Sequence, residues 1–208
     1  MSGKIAAILL AAGLSRRMGR CKQLLPLGDR TVMARCIGTL CLAGIDETIV
    51  VVSPEGDKVA AEAWRFPVRV VVTPEPDGDM ASSVRAGRGA LSAGVVGVVV
   101  ALCDHPLVQP ATVAELIRTH REHPDHIIIP CHGGRKGHPL LFPVPVLHEL
   151  HGGLTLRDLV RRDPARIVAL PVADVGVLLD MDTPEDYRAI SSLATPTKMH
   201  RSAGSSGT

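Results

Sequence analysis

The 208 residues are 46% hydrophobic and 21% charged, and Lys+Arg 23 against Asp+Glu 21 leaves a formal charge of +2. That balance excludes an intrinsically disordered chain and argues against a broadly basic surface for nucleic acid or membranes, so any basic site must be local. With aromatics at 2%, the core must be built from Val, Leu, Ile and Ala, the filling of parallel sheets covered by helices. In chain order, an apolar run predicts a strand at 4–11, followed by a helix at 31–43, a strand at 48–53 and a helix at 57–64. A strand at 68–73, a helix at 81–91, a strand at 95–102 and a helix at 110–123 continue the alternation. Strands are then expected at 126–130 and 139–142 around Gly133-Gly134-Arg135-Lys136-Gly137, a pattern that suits an antiparallel excursion or a substrate-facing loop. Helices at 144–150 and 155–162, strands at 166–171 and 177–180, and a helix at 184–193 complete the series. The last helix opens on Thr183-Pro184-Glu185-Asp186, a capping Thr before a first-turn Pro and two acids.

Strands joined through helices predict a three-layer, Rossmann-like α/β fold with a mostly parallel sheet, helices on both faces and one small antiparallel excursion. One domain is expected over residues 1–194, with 195–208, rich in Ser and Gly, a disordered tail or an expression remnant. Five cysteines, an odd number without a C-x-x-C pair, suit a reducing compartment and argue against a disulfide framework or structural zinc. The longest apolar stretches, 5–14 and 95–103, fall far short of the roughly 20 residues of a membrane span. The first of them runs straight into Ser15-Arg16-Arg17 and reads better as working machinery than as a signal peptide. A cytoplasmic protein without a membrane or nucleic-acid partner is expected.

The densest chemistry lies in Ala11-Ala12-Gly13-Leu14-Ser15-Arg16-Arg17-Met18-Gly19-Arg20-Cys21-Lys22. A buried strand ends in small residues, and the following loop presents a hydroxyl and four cations. Such a loop suits a triphosphate, because small residues let backbone N–H groups close on phosphate oxygens while Arg and Lys neutralise charge. A solvated basic loop explains the same composition. Neither G-x-x-x-x-G-K-[ST] nor G-x-G-x-x-G is present. Asp104 follows an apolar strand and suits either a hard cation such as Mg²⁺ or a turn cap before Pro106. Asp182 offers the same choice between a second metal ligand and a helix cap, with Asp180 on the same face of the expected strand as its competitor. Ser82 and Ser83 open a helix pattern, where a hydroxyl binds a polar ligand or caps the helix. His120, His123 and His126 recur every three residues, but Pro124 interrupts a shared helical face and the spacing matches no ligand pattern.

The order L-A-A-G-x-S-x-R-M-G-x-x-K-x-L-L-P resembles the opening of the MobA-like nucleotidyltransferases, most closely their molybdenum-cofactor cytidylyltransferase branch. Further matching pieces follow in order, over roughly residues 4–190: Met80-Ala81-Ser82-Ser83-Val84-Arg85-Ala86-Gly87, Asp104-His105-Pro106-Leu107, Lys136-Gly137-His138-Pro139, and Val177 to Tyr187. The resemblance implies transfer of CMP from CTP to the phosphate of molybdopterin, with release of pyrophosphate and with Mg²⁺ as cofactor. It implies that Ala11, Ala12, Gly13 and Ser15 face base and ribose, and that Arg17 and Lys22 grip the triphosphate. It further implies Ser82 and Ser83 at the nucleotide, Asp104 and Asp182 on the metal, and Lys136, Gly137 and His138 at the acceptor. A molybdoenzyme or its chaperone would receive the product.

Several positions depart from the family pattern. Asp79 stands where Gly is usual and brings a negative charge near the expected nucleotide loop. Pro76 replaces an aromatic, Thr73 an Asn, and Cys103 and His105 flank Asp104 where Gly and Gln are common. Gly152-Gly153-Leu154-Thr155 replaces Gly-Asp-x-Gly. A methylerythritol-phosphate cytidylyltransferase, a guanylyl- or sugar-phosphate nucleotidyltransferase, and a non-catalytic nucleotide- and cofactor-binding accessory protein are the competing expectations.

Overall fold

The structure is a computed structural model that describes residues 3–13, 15, 18–74 and 78–194. Its strands are β1 (Lys4–Leu10), β2 (Pro26–Leu27), β3 (Arg30–Thr31), β4 (Glu47–Val52) and β5 (Arg69–Val72), then β6 (Val95–Leu102), β7 (Ile127–His132), β8 (Arg135–Lys136), β9 (Leu140–Pro143) and β10 (Ile167–Pro171). The helices are α1 (Val32–Leu42), α2 (Asp57–Ala63), α3 (Met80–Gly89), α4 (Pro110–Glu122), α5 (Val144–His148), α6 (Leu156–Arg162) and α7 (Pro184–Ala194).

An eight-stranded sheet runs in the order β10-β7-β9-β6-β1-β4-β5, with β8 attached to β7. β1 pairs in parallel with β4 and β6, while β9 lies antiparallel between β6 and β7. The β7–β8 hairpin turns on Gly133 and Gly134, at φ 55° and 78°, where only glycine sits without strain. The expected α/β architecture and its antiparallel excursion are both present.

Alternation along the strands builds two cores. Ile5, Ala7 and Leu9 of β1 join Val50 and Val99 under α1, α2, α4 and α7, whereas Ile8 joins Ile49, Val51, Val98 and Val100 under α3, α5 and α6. Successive strand residues point to opposite faces, so a continuous apolar run supplies both layers. Each fully buried Ile, Leu or Val contributes roughly 1.5–3 kcal/mol. Gly87 lets α3 lie directly on the sheet, because a Cβ there would stand 2.7 Å from Ile8 Cγ2 and 3.1 Å from Val51 Cγ2. Gly87→Val is therefore expected to cost about 2–3 kcal/mol, seen as a lower urea midpoint; an unchanged midpoint would contradict this packing.

Two segments differ from expectation. Residues 177–180 form no strand; a 3-10 turn, Val175–Leu178, takes their place. Its N-cap Asp174 accepts from Gly176 N and also from Gln109 N and Thr112 Oγ1 at the start of α4, which holds the segment there and not in the sheet. The short antiparallel pair β2–β3, closed by Gly28 at φ 69°, was not anticipated, since two-residue strands leave no apolar run to read. Residues 195–208, and with them the expected tail, lie outside the described residues.

Candidate active site

The loop after β1 is held from within by Gln23. Its buried amide donates to Ala11 O (2.9 Å) and Gly13 O (2.8 Å) and accepts from Ser15 Oγ (3.3 Å). Ser15 adopts φ 50°, a left-handed conformation uncommon outside glycine, and its hydroxyl accepts from Lys22 N at 3.1 Å. The loop borders a cleft of about 390 Å³ that reaches Ser53, Glu55 and Gly56 beyond the end of β4. Within it a Cβ on Gly13 would meet nothing within 4 Å among the described residues. Gln23→Leu keeps the volume but strands the loop carbonyls, and should destabilise the protein by about 1–3 kcal/mol in denaturant unfolding. Wild-type stability in that variant would remove Gln23 from its supporting role. Gln23 was missed as a positioning residue; the signal available was a single amide immediately before the apolar Leu24-Leu25.

Lys22 leaves this loop and reaches the two distant acids. Its Nζ donates to Asp104 Oδ2 (2.9 Å), Asp182 Oδ1 (3.0 Å) and Met181 O (3.3 Å). The three side chains are 11%, 23% and 36% exposed respectively. Burial opposes the charge on Lys22, but Asp104 and then Asp182 outweigh it and raise the ammonium above its ordinary pKa. Asp104 Oδ1 is buried and has no hydrogen-bond partner among the described residues.

Backbone contacts explain why Asp182 arrives beside Asp104. Asp174 accepts from Gln109 N (2.8 Å) and Thr112 Oγ1 (2.7 Å) at the start of α4, clamping its own segment to the loop after β6. Gly176 rests against Leu107 O, 2.4 Å from where its Cβ would stand, and Met181 N donates to Asp104 O at 2.9 Å. The cap of α7 is a reciprocal pair of Thr183 and Asp186, with Asp186 Oδ2 also accepting from Asp182 N. Asp182 thus turns its carboxylate to Lys22 while Thr183 caps the helix, and Asp180 is exposed.

Two imidazoles adjoin the cluster. The rings of His105 and His138 are 5.2 Å apart, and His105 Nε2 lies 3.9 Å from Asp104 Oδ1. Burial, reinforced by His105, pushes His138 down to about 4, against the pull of Asp104. At neutral pH His138 is therefore an uncharged ring. His138 N donates to Val177 O, and a Cβ on Gly137 would stand 2.4 Å from that same oxygen. Packing against the 3-10 turn therefore accounts for the glycine. Lys136 is exposed on β8.

The remaining expected positions lie apart from Lys22 or beyond the described residues. Asp79 caps α3, accepting from Ser82 N at 2.6 Å, so the cap is Asp79 and neither serine. Its charge is also met by Arg85 at 3.8 Å. Ser83 is buried on α3, and neither serine side chain hydrogen-bonds to the Lys22 cluster among the described residues. Arg17, Leu14, Arg16 and Pro76 fall outside the described residues. Of the three regularly spaced histidines, His120 fills the space above Gly97, and His123 and His126 meet edge to face at 5.6 Å. Among the described residues no group of three or more His, Cys, Asp or Glu side chains is placed to hold a metal. No helix among them is long and apolar enough to cross a membrane.

The site thus holds a cation between two acids beside a loop of small residues. The family model of the MobA-like NTP transferase domain matches residues 7–167. The chain belongs to that family. The names of its relatives differ widely. It is 30% identical over 199 residues to "Nicotine blue oxidoreductase" of Paenarthrobacter nicotinovorans, covering 89% of this chain and 96% of the relative. It is 27% identical to "Probable molybdenum cofactor guanylyltransferase" of Mycolicibacterium paratuberculosis, covering 91% and 96%. To "Molybdenum cofactor cytidylyltransferase" of Escherichia coli it is 24% identical, covering 88% and 93%. Among solved structures, Rv0371c from Mycobacterium tuberculosis superposes with a TM-score of 0.79 at 31% identity, covering 92% and 99%. Its complex with manganese gives 0.74 at 28%, covering 92% and 100%. A nucleotidyl transferase from Methanothermobacter thermautotroptrophicus gives 0.81 at 26%, covering 93% and 98%.

Proposed function

We propose that the protein transfers CMP from CTP to the phosphate of molybdopterin, releasing pyrophosphate. The observation that carries this reading is Lys22 Nζ lying 2.9 Å and 3.0 Å from Asp104 and Asp182, next to the loop of Ala11, Ala12, Gly13 and Ser15. In the proposal this loop faces base and ribose, with Ser82 and Ser83 lining the nucleotide from α3. Lys22, with Arg17 by its place in the motif, neutralises the triphosphate. Lys136 and the uncharged His138 meet the acceptor.

Asp104 and Asp182 are the residues that would hold Mg²⁺. The donor set fits: two hard carboxylates at one locus, one of them with a buried oxygen, Asp104 Oδ1, that no hydrogen bond satisfies among the described residues. When bound, the cation supplies charge neutralisation on phosphate oxygens. An ammonium seated on the bound triphosphate helps most as negative charge builds on the departing pyrophosphate, because it is in place before the step. The acceptor phosphate is ionised at neutral pH, so the in-line attack needs positioning and charge and no side-chain nucleophile. Cys21 is exposed and bonded to Gln23 Oε1, and Cys36 and Cys103 are buried, so all three are bystanders.

Similarity to relatives named for guanylyl and for cytidylyl transfer supports a molybdopterin-type acceptor; the base is chosen by the cytidylyltransferase pattern of the motifs. Pyrophosphate release, measured with CTP and GTP against molybdopterin and methylerythritol phosphate, tests the proposal. Release with CTP and molybdopterin is expected. Release only with GTP makes the protein a guanylyltransferase, and no release with any pair leaves a binding protein.

A further inference from the structure

The ammonium of Lys22 carries three protons, and all three are used: one each on Asp104 Oδ2, Asp182 Oδ1 and Met181 O. In this arrangement none is left for a phosphate oxygen. Lys22 also stands in the place that a cation shared by the two carboxylates would need. It is largely buried and anchored at its base, where its own N–H is bonded to Ser15 Oγ at 3.1 Å. One positive charge already offsets half of the negative charge of the two carboxylates. A bare divalent cation entering beside it would meet a like charge at close range in a partly buried cleft, where that repulsion is less screened than in bulk water.

We infer that Lys22 occupies the carboxylate pair as a built-in counter-ion that disfavours a free divalent cation, so that metal enters together with nucleotide phosphates. The triphosphate supplies the negative charge that draws Lys22 away from Asp104 and Asp182 and leaves both carboxylates to the metal. Lys22 then exchanges carboxylate partners for phosphate partners. The inference rests on the reading that Asp104 and Asp182 hold the cation, and its test separates the two.

Mn²⁺ binding by the full chain is measured from the loss of the free-ion electron paramagnetic resonance signal. Wild type, Lys22→Gln, Asp104→Asn and the double variant are titrated, with and without a non-hydrolysable α,β-methylene CTP. Without nucleotide, Lys22→Gln should bind Mn²⁺ about tenfold more tightly than wild type, an ordinary size for coupling between two ligands of one site. Adding Asp104→Asn should abolish that gain. Equal or weaker binding by Lys22→Gln, with Asp104→Asn still weakening wild type in the presence of the analogue, would overturn the inference and keep the metal reading. If Asp104→Asn changes binding under no condition, the metal reading fails and the inference with it. Lys22→Met serves as the second variant, read by thermal unfolding. Mn²⁺ should raise its unfolding temperature more than that of wild type, and an equal or smaller rise counts against the inference.

Discussion

Replacing Asp104 by Ala is expected to lower pyrophosphate release by about a thousandfold or more, the scale of losing a principal electrostatic contact to the reacting phosphates. The fold should survive. The side chain of Asp104 bonds Lys22 and not the core, whereas the contact that ties the Asp182 segment to this loop uses the backbone carbonyl of Asp104, which alanine retains. The unfolding temperature should therefore move by only about 2–4 °C, a change of roughly 1 kcal/mol in a chain of this size. Steady-state assay with thermal unfolding on the same preparation separates the two readouts. Wild-type turnover in Asp104→Ala would remove this carboxylate from the site.

Lys22→Ala should have the second largest effect, and its signature is selective. Affinity for a nucleoside triphosphate should fall about a hundredfold, the range for removing one partner of a close charge–charge contact. Affinity for the monophosphate should fall much less, because Lys22 is assigned to the triphosphate and the backbone of Ala11 to Gly13 to the nucleoside. Isothermal titration with CTP and CMP reads both. Equal losses for the two ligands would assign the Lys22 side chain to holding the site together, through Asp104, Asp182 and Met181 O, and not to phosphate.

Much of this was legible in the chain because its core strands are simple. β1, β4 and β6 are uninterrupted apolar runs covered on both faces, so run length alone marks them within a residue of their observed bounds. The run at 177–180 looked the same by composition but is a 3-10 turn, since Asp174 and Gly176 bind it to the α4 entrance and not to a neighbouring strand. Local apolarity cannot tell these apart; the deciding contacts are long-range. The same holds for the site. The pattern of residues marks Lys22, Asp104 and Asp182 individually, but the ammonium contacts span 82 and 160 residues and are visible only in the fold. Gln23 escaped notice for a related reason: it acts on backbone carbonyls that carry no residue identity. Asp180 and Asp182, placed on one face while a strand was assumed, part in the fold: Asp182 meets Lys22 and Asp180 is exposed.

The most direct test of the account is a crystal of the protein grown with α,β-methylene CTP and Mn²⁺, with anomalous scattering recorded to locate the metal. The account predicts one strong peak bound by Asp104 and Asp182, with Lys22 Nζ moved onto the phosphates and the nucleoside against Ala11 to Ser15. A nucleotide bound elsewhere, or a manganese peak remote from both carboxylates while Lys22 still bridges them, would contradict it.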